Sequence, residues 1–140
     1  NWKYSADFLE HSLQDNPSDL YYGNKSALAK KLKKSRKIRN KVKKFKKSNY
    51  LAKKYSISFK HGDMFGAFHN VDLYIDRFKK GKINCVLKDY YDFSYEKYTT
   101  FINIAKNHQW VCQAFKISNG YHITVEMKFK DRKNKNKDLI

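Results

Sequence analysis

Three histidines occupy positions from which they could transfer protons. His11 lies at the edge of the apolar face of a predicted first helix, His69 opens a predicted strand, and His122 lies on the polar face of the last predicted strand. Imidazole, with an ordinary pKa of about 6.5, gives or takes a proton at neutral pH. Two such groups facing one scissile phosphate would act as general base and general acid. A partly buried structural role for each histidine stays open.

This chemistry would use a ribose 2′-hydroxyl as the nucleophile, with a nearby lysine or arginine stabilising the charged phosphorane. It requires no metal ion, and the sequence predicts neither a metal site nor a cofactor. Cys85 and Cys112 have no metal-binding spacing and are predicted to be buried thiols.

The acidic residues form no cluster typical of a two-metal nuclease. The nearest approach is Asp89, Tyr91 and Asp92 at the end of a predicted strand, which we keep as an alternative catalytic group. The same residues are also consistent with a turn that carries an aromatic anchor. No glycine-rich phosphate loop, Ser-His-Asp order or H-E-x-x-H motif occurs in the sequence.

The positive charge is concentrated in residues 25–54. This segment holds fifteen of the 31 basic residues, none of the 13 acidic ones, and most of the net charge of +18. Apolar residues recur at helical spacing within it, which predicts a docked helix of 24 residues, about 36 Å long if unbroken, with cations on its outer faces. The density of charge predicts a polyanion as the partner, and the alternative is a solvated charge run. The polyanion that we expect is RNA, with tRNA as one candidate. The predicted RNA-binding residues are Lys30, Lys33, Lys34, Lys37, Lys41 and Lys44.

The remaining pattern predicts an α+β fold in one domain, residues 1–140. N-terminal helices, the first over residues 2–15, precede an about four-stranded, mostly antiparallel sheet, with one further helix at residues 99–119 before the last strand. Residues 18–22 are expected to form a helical turn, and residues 131–140 a basic, frayed tail. No segment approaches the length of a membrane-spanning helix, so we expect no stable membrane insertion.

The segment FLEHSLQDNPSDL at residues 8–20 resembles the opening of C-terminal toxin domains of bacterial polymorphic and contact-dependent inhibition toxins. GDMF at residues 62–65 and DYYDF at residues 89–93 resemble pieces of the same kind of domain. The resemblance implies a ribonuclease, delivered as the C-terminal part of a secreted or cell-surface protein, that acts in the cytoplasm of the target cell. A start at Asn1 rather than Met fits such a fragment. It also implies a cognate immunity protein, which we expect to be acidic because opposite potentials favour association.

Two further resemblances are narrower. A histidine on the first helix and another on a late strand, His11 and His122, resemble the order in pancreatic ribonucleases, although the disulfides of that family are absent. The D-x-Y-D of Asp89, Tyr91 and Asp92 resembles the motif of colicin M, a lipid II hydrolase, but no His-Arg pair follows it. The alternatives to a ribonuclease are therefore a lipid II hydrolase and a non-catalytic nucleic-acid-binding module.

Overall fold

A computed structural model describes residues 2–91 and 119–131 of the chain. Within these residues the protein contains four helices and five strands, so the predicted α+β class is confirmed. In chain order the elements are α1 (Lys3–Ser12), β1 (Leu20–Tyr22), α2 (Ala27–Lys33), α3 (Arg36–Lys46), β2 (Ala52–Ser58), α4 (Gly62–Ala67), β3 (Asn70–Asp76), β4 (Lys82–Tyr91) and β5 (Tyr121–Lys130).

The five strands form one open, mixed sheet in the order β1-β5-β4-β3-β2. Strands β3 and β4 are antiparallel, with Leu73 opposite Leu87 and Ile75 opposite Cys85. All four of these side chains are buried, because successive side chains of a strand point to opposite faces and the apolar set shares one of them. Between the two strands, Gly81 has a φ of 74°, a left-handed conformation that glycine adopts without steric cost.

The chain divides into two compact units. The first unit comprises Asn1–Leu20, Ser58–Asn70 and Asp89–His122. Its described part packs α1 against α4 around buried aromatic rings, with Phe8 in edge contact with Phe68 at a centroid distance of 5.4 Å. The carboxylate of Asp63 accepts hydrogen bonds from the backbone N–H groups of Tyr4 (2.9 Å) and Ser5 (2.7 Å). It thereby satisfies two of the donors that the start of a helix leaves without an intrahelical partner.

The second unit comprises Tyr21–Ile57, Val71–Lys88 and Ile123–Ile140. It contains the predicted basic helix, but that prediction is wrong on one point, since the segment forms two shorter helices. Helix α2 ends at Lys33, and Ser35 takes an extended conformation (φ −64°, ψ 129°) as the residue preceding α3. Serine favours such helix-start positions, and lysines one turn apart repel each other along an unbroken helix. The predicted 36 Å rod is therefore absent.

Other boundaries differ from expectation as well. Helix α1 is shorter than the predicted 2–15, and residues 20–22 form strand β1 where a helical turn was expected. Asp131, the first residue of the predicted frayed tail, is buried. The predicted helix at residues 99–119 falls, except for its last residue, outside the described residues, as do residues 132–140.

Candidate nucleic-acid interface and histidine sites

Helices α2 and α3 of the second unit present a continuous set of cations. Together they carry ten lysines and arginines and no acidic residue. Their large apolar side chains point inward, and Leu28, Leu32, Ile38, Val42 and Phe45 are buried. We call these two helices, with Lys34 between them, the basic helix pair. Because the apolar stripe is narrow, most of the surface of the pair is available to cations.

The six predicted RNA-binding lysines fall into two groups. Lys30, Lys34, Lys37 and Lys44 are exposed. Lys33 and Lys41 are half-buried, since their ammonium groups lie over the rings of Phe129 (4.9 Å) and Tyr55 (5.7 Å). Such contacts fix the direction of a flexible lysine.

Four further exposed cations of the pair were not in the predicted set: Lys31, Arg36, Arg39 and Lys43. A helical-wheel projection of α3 would have identified Arg36, Arg39 and Lys43. On such a projection the buried stripe centred on Ile38 and Val42 is narrow, and the residues outside it are exposed.

His122 is an exposed histidine that lies beside an acid. Its Nδ1 is 3.6 Å from Oδ1 of Asp19, and its backbone N–H donates to the same oxygen at 2.9 Å. When the imidazole is protonated, the two side chains form an ion pair. The ring of Tyr90 makes an edge contact with the imidazole at a centroid distance of 4.9 Å. Because Nδ1 faces the carboxylate, Nε2 is the nitrogen that could exchange a proton with a substrate.

His11 is half-buried and held on two sides. Its Nε2 lies 2.7 Å from the carbonyl oxygen of Ser18, and its ring stands edge-on to Tyr121 at a centroid distance of 4.6 Å. A carbonyl only accepts hydrogen bonds, so Nε2 carries the proton in this arrangement and Nδ1 is the nitrogen left to act as a base.

His11 of α1 and His122 of β5 lie on opposite faces of β5. His11 contacts Tyr121, which is buried, whereas His122 is the next residue and is exposed. Neighbouring residues of a strand point to opposite faces. The two imidazoles therefore have separate sets of contacts, in contrast to a pair that faces one phosphate.

His69 lies in a third environment, between α4 and β3. Its φ of 57° is left-handed, a conformation that is uncommon for residues other than glycine but is adopted more often by asparagine, aspartate and histidine than by the rest. Its carbonyl oxygen accepts a hydrogen bond from the N–H of Phe59 at 2.7 Å, and its ring lies edge-on to Phe65 at 4.7 Å. These contacts give His69 a clear role in shaping the bend.

Of the alternative catalytic group Asp89, Tyr91 and Asp92, the first two fall within the described residues, and Tyr91 does not reach the surface. Tyr91 is 0% exposed and stacks on Tyr121 at a centroid distance of 5.1 Å. Asp89 is half-buried, and Asp92 lies outside the described residues. A tyrosine enclosed among core rings has no access to a substrate, so Tyr91 acts here as the aromatic anchor.

Sequence reasoning missed the two neighbours of His122. Asp19 lies more than a hundred positions away in the chain, and Tyr90 belongs to a different strand. No local pattern links them. Gly120 supports the arrangement, because a Cβ at this position would overlap the ring of Tyr90.

Within residues 2–91 and 119–131, no group of three or more His, Cys, Asp or Glu residues could hold a metal ion. The helices described there include none that is long and apolar enough to cross a membrane.

Comparison of the chain with protein-family models, with curated proteins and with solved structures finds no match. The function is therefore argued from the residues themselves.

Proposed function

We propose that this protein binds RNA through the basic helix pair and cleaves it without a metal ion. The observation that carries the proposal is the pair itself, ten cations on two helices with no acid among them. Phosphate contacts from lysine and arginine release condensed counterions, and this release supplies most of the affinity of nonspecific nucleic-acid binding.

RNA is favoured over DNA because the candidate chemistry is that of imidazoles. A ribose 2′-hydroxyl provides an internal nucleophile for the adjacent phosphate, so proton transfer alone is sufficient for cleavage. No metal cluster is needed for this reaction.

His122 is the best-supported proton-transfer residue. It is exposed, it is positioned through its backbone N–H and through the carboxylate of Asp19, and its imidazole is flanked by Tyr90. His11 is the second candidate, acting through Nδ1, and His69 is the third. If cleavage uses both His122 and His11, as acid and base, the substrate must reach both faces at the start of β5.

The biological setting that fits this chemistry is that of a toxin domain, with RNA in a target bacterium as the substrate and tRNA as one candidate. Such a domain would be delivered as the C-terminal part of a larger secreted or cell-surface protein and would act in the target cytoplasm. An acidic immunity protein that covers the basic helix pair or the His122 site would neutralise it, because complementary potentials speed association.

The salt dependence of RNA binding tests the binding half of the proposal. Replacing the exposed Lys30, Lys34, Lys37 and Lys44 with Gln should weaken binding and reduce the slope of log K against log salt by about three, since each phosphate contact contributes about 0.7–0.9. The control is a second quadruple variant with the same change in charge, at the exposed Lys60, Lys79, Lys80 and Lys82. The control should retain most of the slope. Equal losses in the two variants would show that no defined surface binds the RNA.

A non-catalytic nucleic-acid-binding module is the second candidate. The separate surroundings of His11, His69 and His122 favour it, because the three imidazoles contact three different aromatic rings, those of Tyr121, Phe65 and Tyr90 respectively. RNA binding without cleavage would support this candidate.

A further inference from the structure

Strands β2 and β3 of the second unit carry exposed aromatic rings. Along β3, Leu73 and Ile75 are buried, whereas Tyr74 between them points to the other face and is 41% exposed. Phe78, two residues after the end of the strand, is 69% exposed. Within the described part of the chain, no ring or cation is stacked on Phe78. A single exposed ring is ordinary, but exposed apolar residues that lie side by side mark interaction sites, and Tyr74 and Phe78 line the same groove.

The two rings border an open groove with a volume of about 350 Å³. This lies within the range of small-ligand sites, about 300–1,000 Å³. The lining residues come from the edge strand β2 and from β3 with its following turn: Ala52, Lys53, Lys54, Tyr74, Ile75, Asp76 and Phe78. We call it the Tyr74–Phe78 groove.

The charge around the groove is positive. Lys53 and Lys54 line it, and the ammonium of Lys88 lies 5.4 Å from the centre of the Tyr74 ring. The acid in the lining, Asp76, uses Oδ1 to accept hydrogen bonds from the N–H of Phe78 (3.2 Å) and from the side-chain amide of Asn84 (3.3 Å). Its role is thus to hold the turn that presents Phe78.

We propose that the Tyr74–Phe78 groove binds unpaired bases of single-stranded RNA, and this inference rests on the RNA-binding function proposed above. Bases would stack on Phe78 and on the open side of Tyr74, while Lys53, Lys54 and Lys88 pair with the flanking phosphates. Every base has an aromatic face, so such a platform tolerates different sequences. A duplex keeps its base faces covered, so the groove confers a preference for unpaired RNA.

Binding of a short oligouridylate and of an RNA duplex of equal length tests the groove. Phe78→Ala and Tyr74→Ala should each weaken binding of the oligouridylate about tenfold, the usual effect of removing one stacking ring. Duplex binding and the salt slope should stay at wild-type values. Phe78→Leu keeps an apolar side chain without a planar face and should behave like Phe78→Ala, whereas Phe78→Tyr should bind like the wild type.

The possible failures are distinct. If the wild type binds neither RNA, the proposed function is wrong and the groove inference falls with it. If the wild type binds RNA but the groove variants bind the oligouridylate as well as it does, or lose single-stranded and duplex binding equally, the groove inference alone is overturned. If sedimentation shows a wild-type dimer that Phe78→Ala converts to a monomer, the occupant is a second copy of the chain, which also overturns it. Since both rings are exposed, unchanged thermal unfolding should confirm that the variants are folded.

Discussion

The Oδ1 atom of Asp19 lies 3.6 Å from Nδ1 of His122 and accepts a hydrogen bond from the backbone N–H of the same residue at 2.9 Å. The carboxylate thus holds both the backbone and the ring of His122. The side chains of His122 and Asp19 are 67% and 70% exposed, so the ion pair between them contributes little to stability. In the proposed cleavage reaction, the contribution of Asp19 would be to orient the imidazole of His122.

The first prediction concerns Asp19 as a positioning residue. Asp19→Asn should lower kcat for RNA cleavage about fivefold, the rate equivalent of the ~1 kcal/mol that an exposed ion pair contributes. KM should change little, because the basic helix pair binds the RNA. Asp15→Asn makes the same change of charge at an exposed residue nearby and should cleave like the wild type. A change in KM alone would mean that Asp19 acts on RNA binding and not through His122.

The second prediction concerns a buried ion pair in the second unit. Arg77 is enclosed, with its guanidinium 4.4 Å from the centre of the Phe45 ring, donating to the carbonyl oxygen of Phe45 and lying 3.8 Å from Asp131. It therefore anchors the end of α3. Arg77→Met roughly preserves volume but removes the guanidinium from beside the buried carboxylate of Asp131, and it should lower the free energy of unfolding by about 3–5 kcal/mol.

Urea unfolding of three variants would check this prediction. The double variant Arg77→Met with Asp131→Leu removes both charges and should recover much of the loss, since apolar replacements of a complete buried pair are often tolerated. If Arg77→Met is as stable as the wild type, the pair does not anchor α3.

The third prediction concerns Cys85. Burial, with a smaller effect of the Asp76 carboxylate, raises the pKa of its thiol from 9.0 to about 12. Above pH 9 the unfolded chain loses this proton while the folded protein keeps it, so stability present below pH 9 should fall as the pH rises toward 12. In Cys85→Ala this part of the fall should be absent. Urea unfolding of the wild type and of Cys85→Ala, at pH values below and above 9, would measure this difference. Curves of unfolding free energy against pH that run parallel for the two proteins would contradict the prediction.

The sequence predicted the strands well where one face is buried. Every second residue is buried in β3 (Leu73 and Ile75) and in β5 (Ile123 and Val125). The sequence shows apolar residues at the same period of two, because side chains of a strand point alternately to its two faces. The buried face of α3 was also predicted correctly, because its apolar residues recur at the spacing of the helical repeat.

The features that could not be predicted depend on residues that are distant in the chain or on local repulsion that opposes a continuous helix. Strand β1 has only three residues and exists through its pairing with β5. The break between α2 and α3 lies at Ser35, which is extended and makes no side-chain capping hydrogen bond, and repulsion between lysines one turn apart opposes an unbroken helix. The contacts of His122 with Asp19 and Tyr90 join three separate parts of the chain, and no spacing rule could identify them.

The fourth prediction concerns the histidines themselves. His122→Ala should slow RNA cleavage by about 10² to 10⁴, the usual contribution of a positioned proton-transfer group, without loss of RNA binding. His61→Ala, at an exposed histidine of the same unit, serves as the matched control and should cleave at the wild-type rate. A comparable loss in folded His11→Ala or His69→Ala would identify the second proton-transfer residue.

Incubation of the protein with total RNA in the presence of EDTA, read on a gel over time, tests the central claim most directly. We expect the wild type to cleave RNA in EDTA as fast as in magnesium, and His122→Ala to cleave it at least about a hundredfold more slowly. Intact RNA after incubation with folded wild-type protein, or cleavage that appears only with magnesium, would contradict metal-independent cleavage. Cleavage by His122→Ala at the wild-type rate would contradict the assignment of His122.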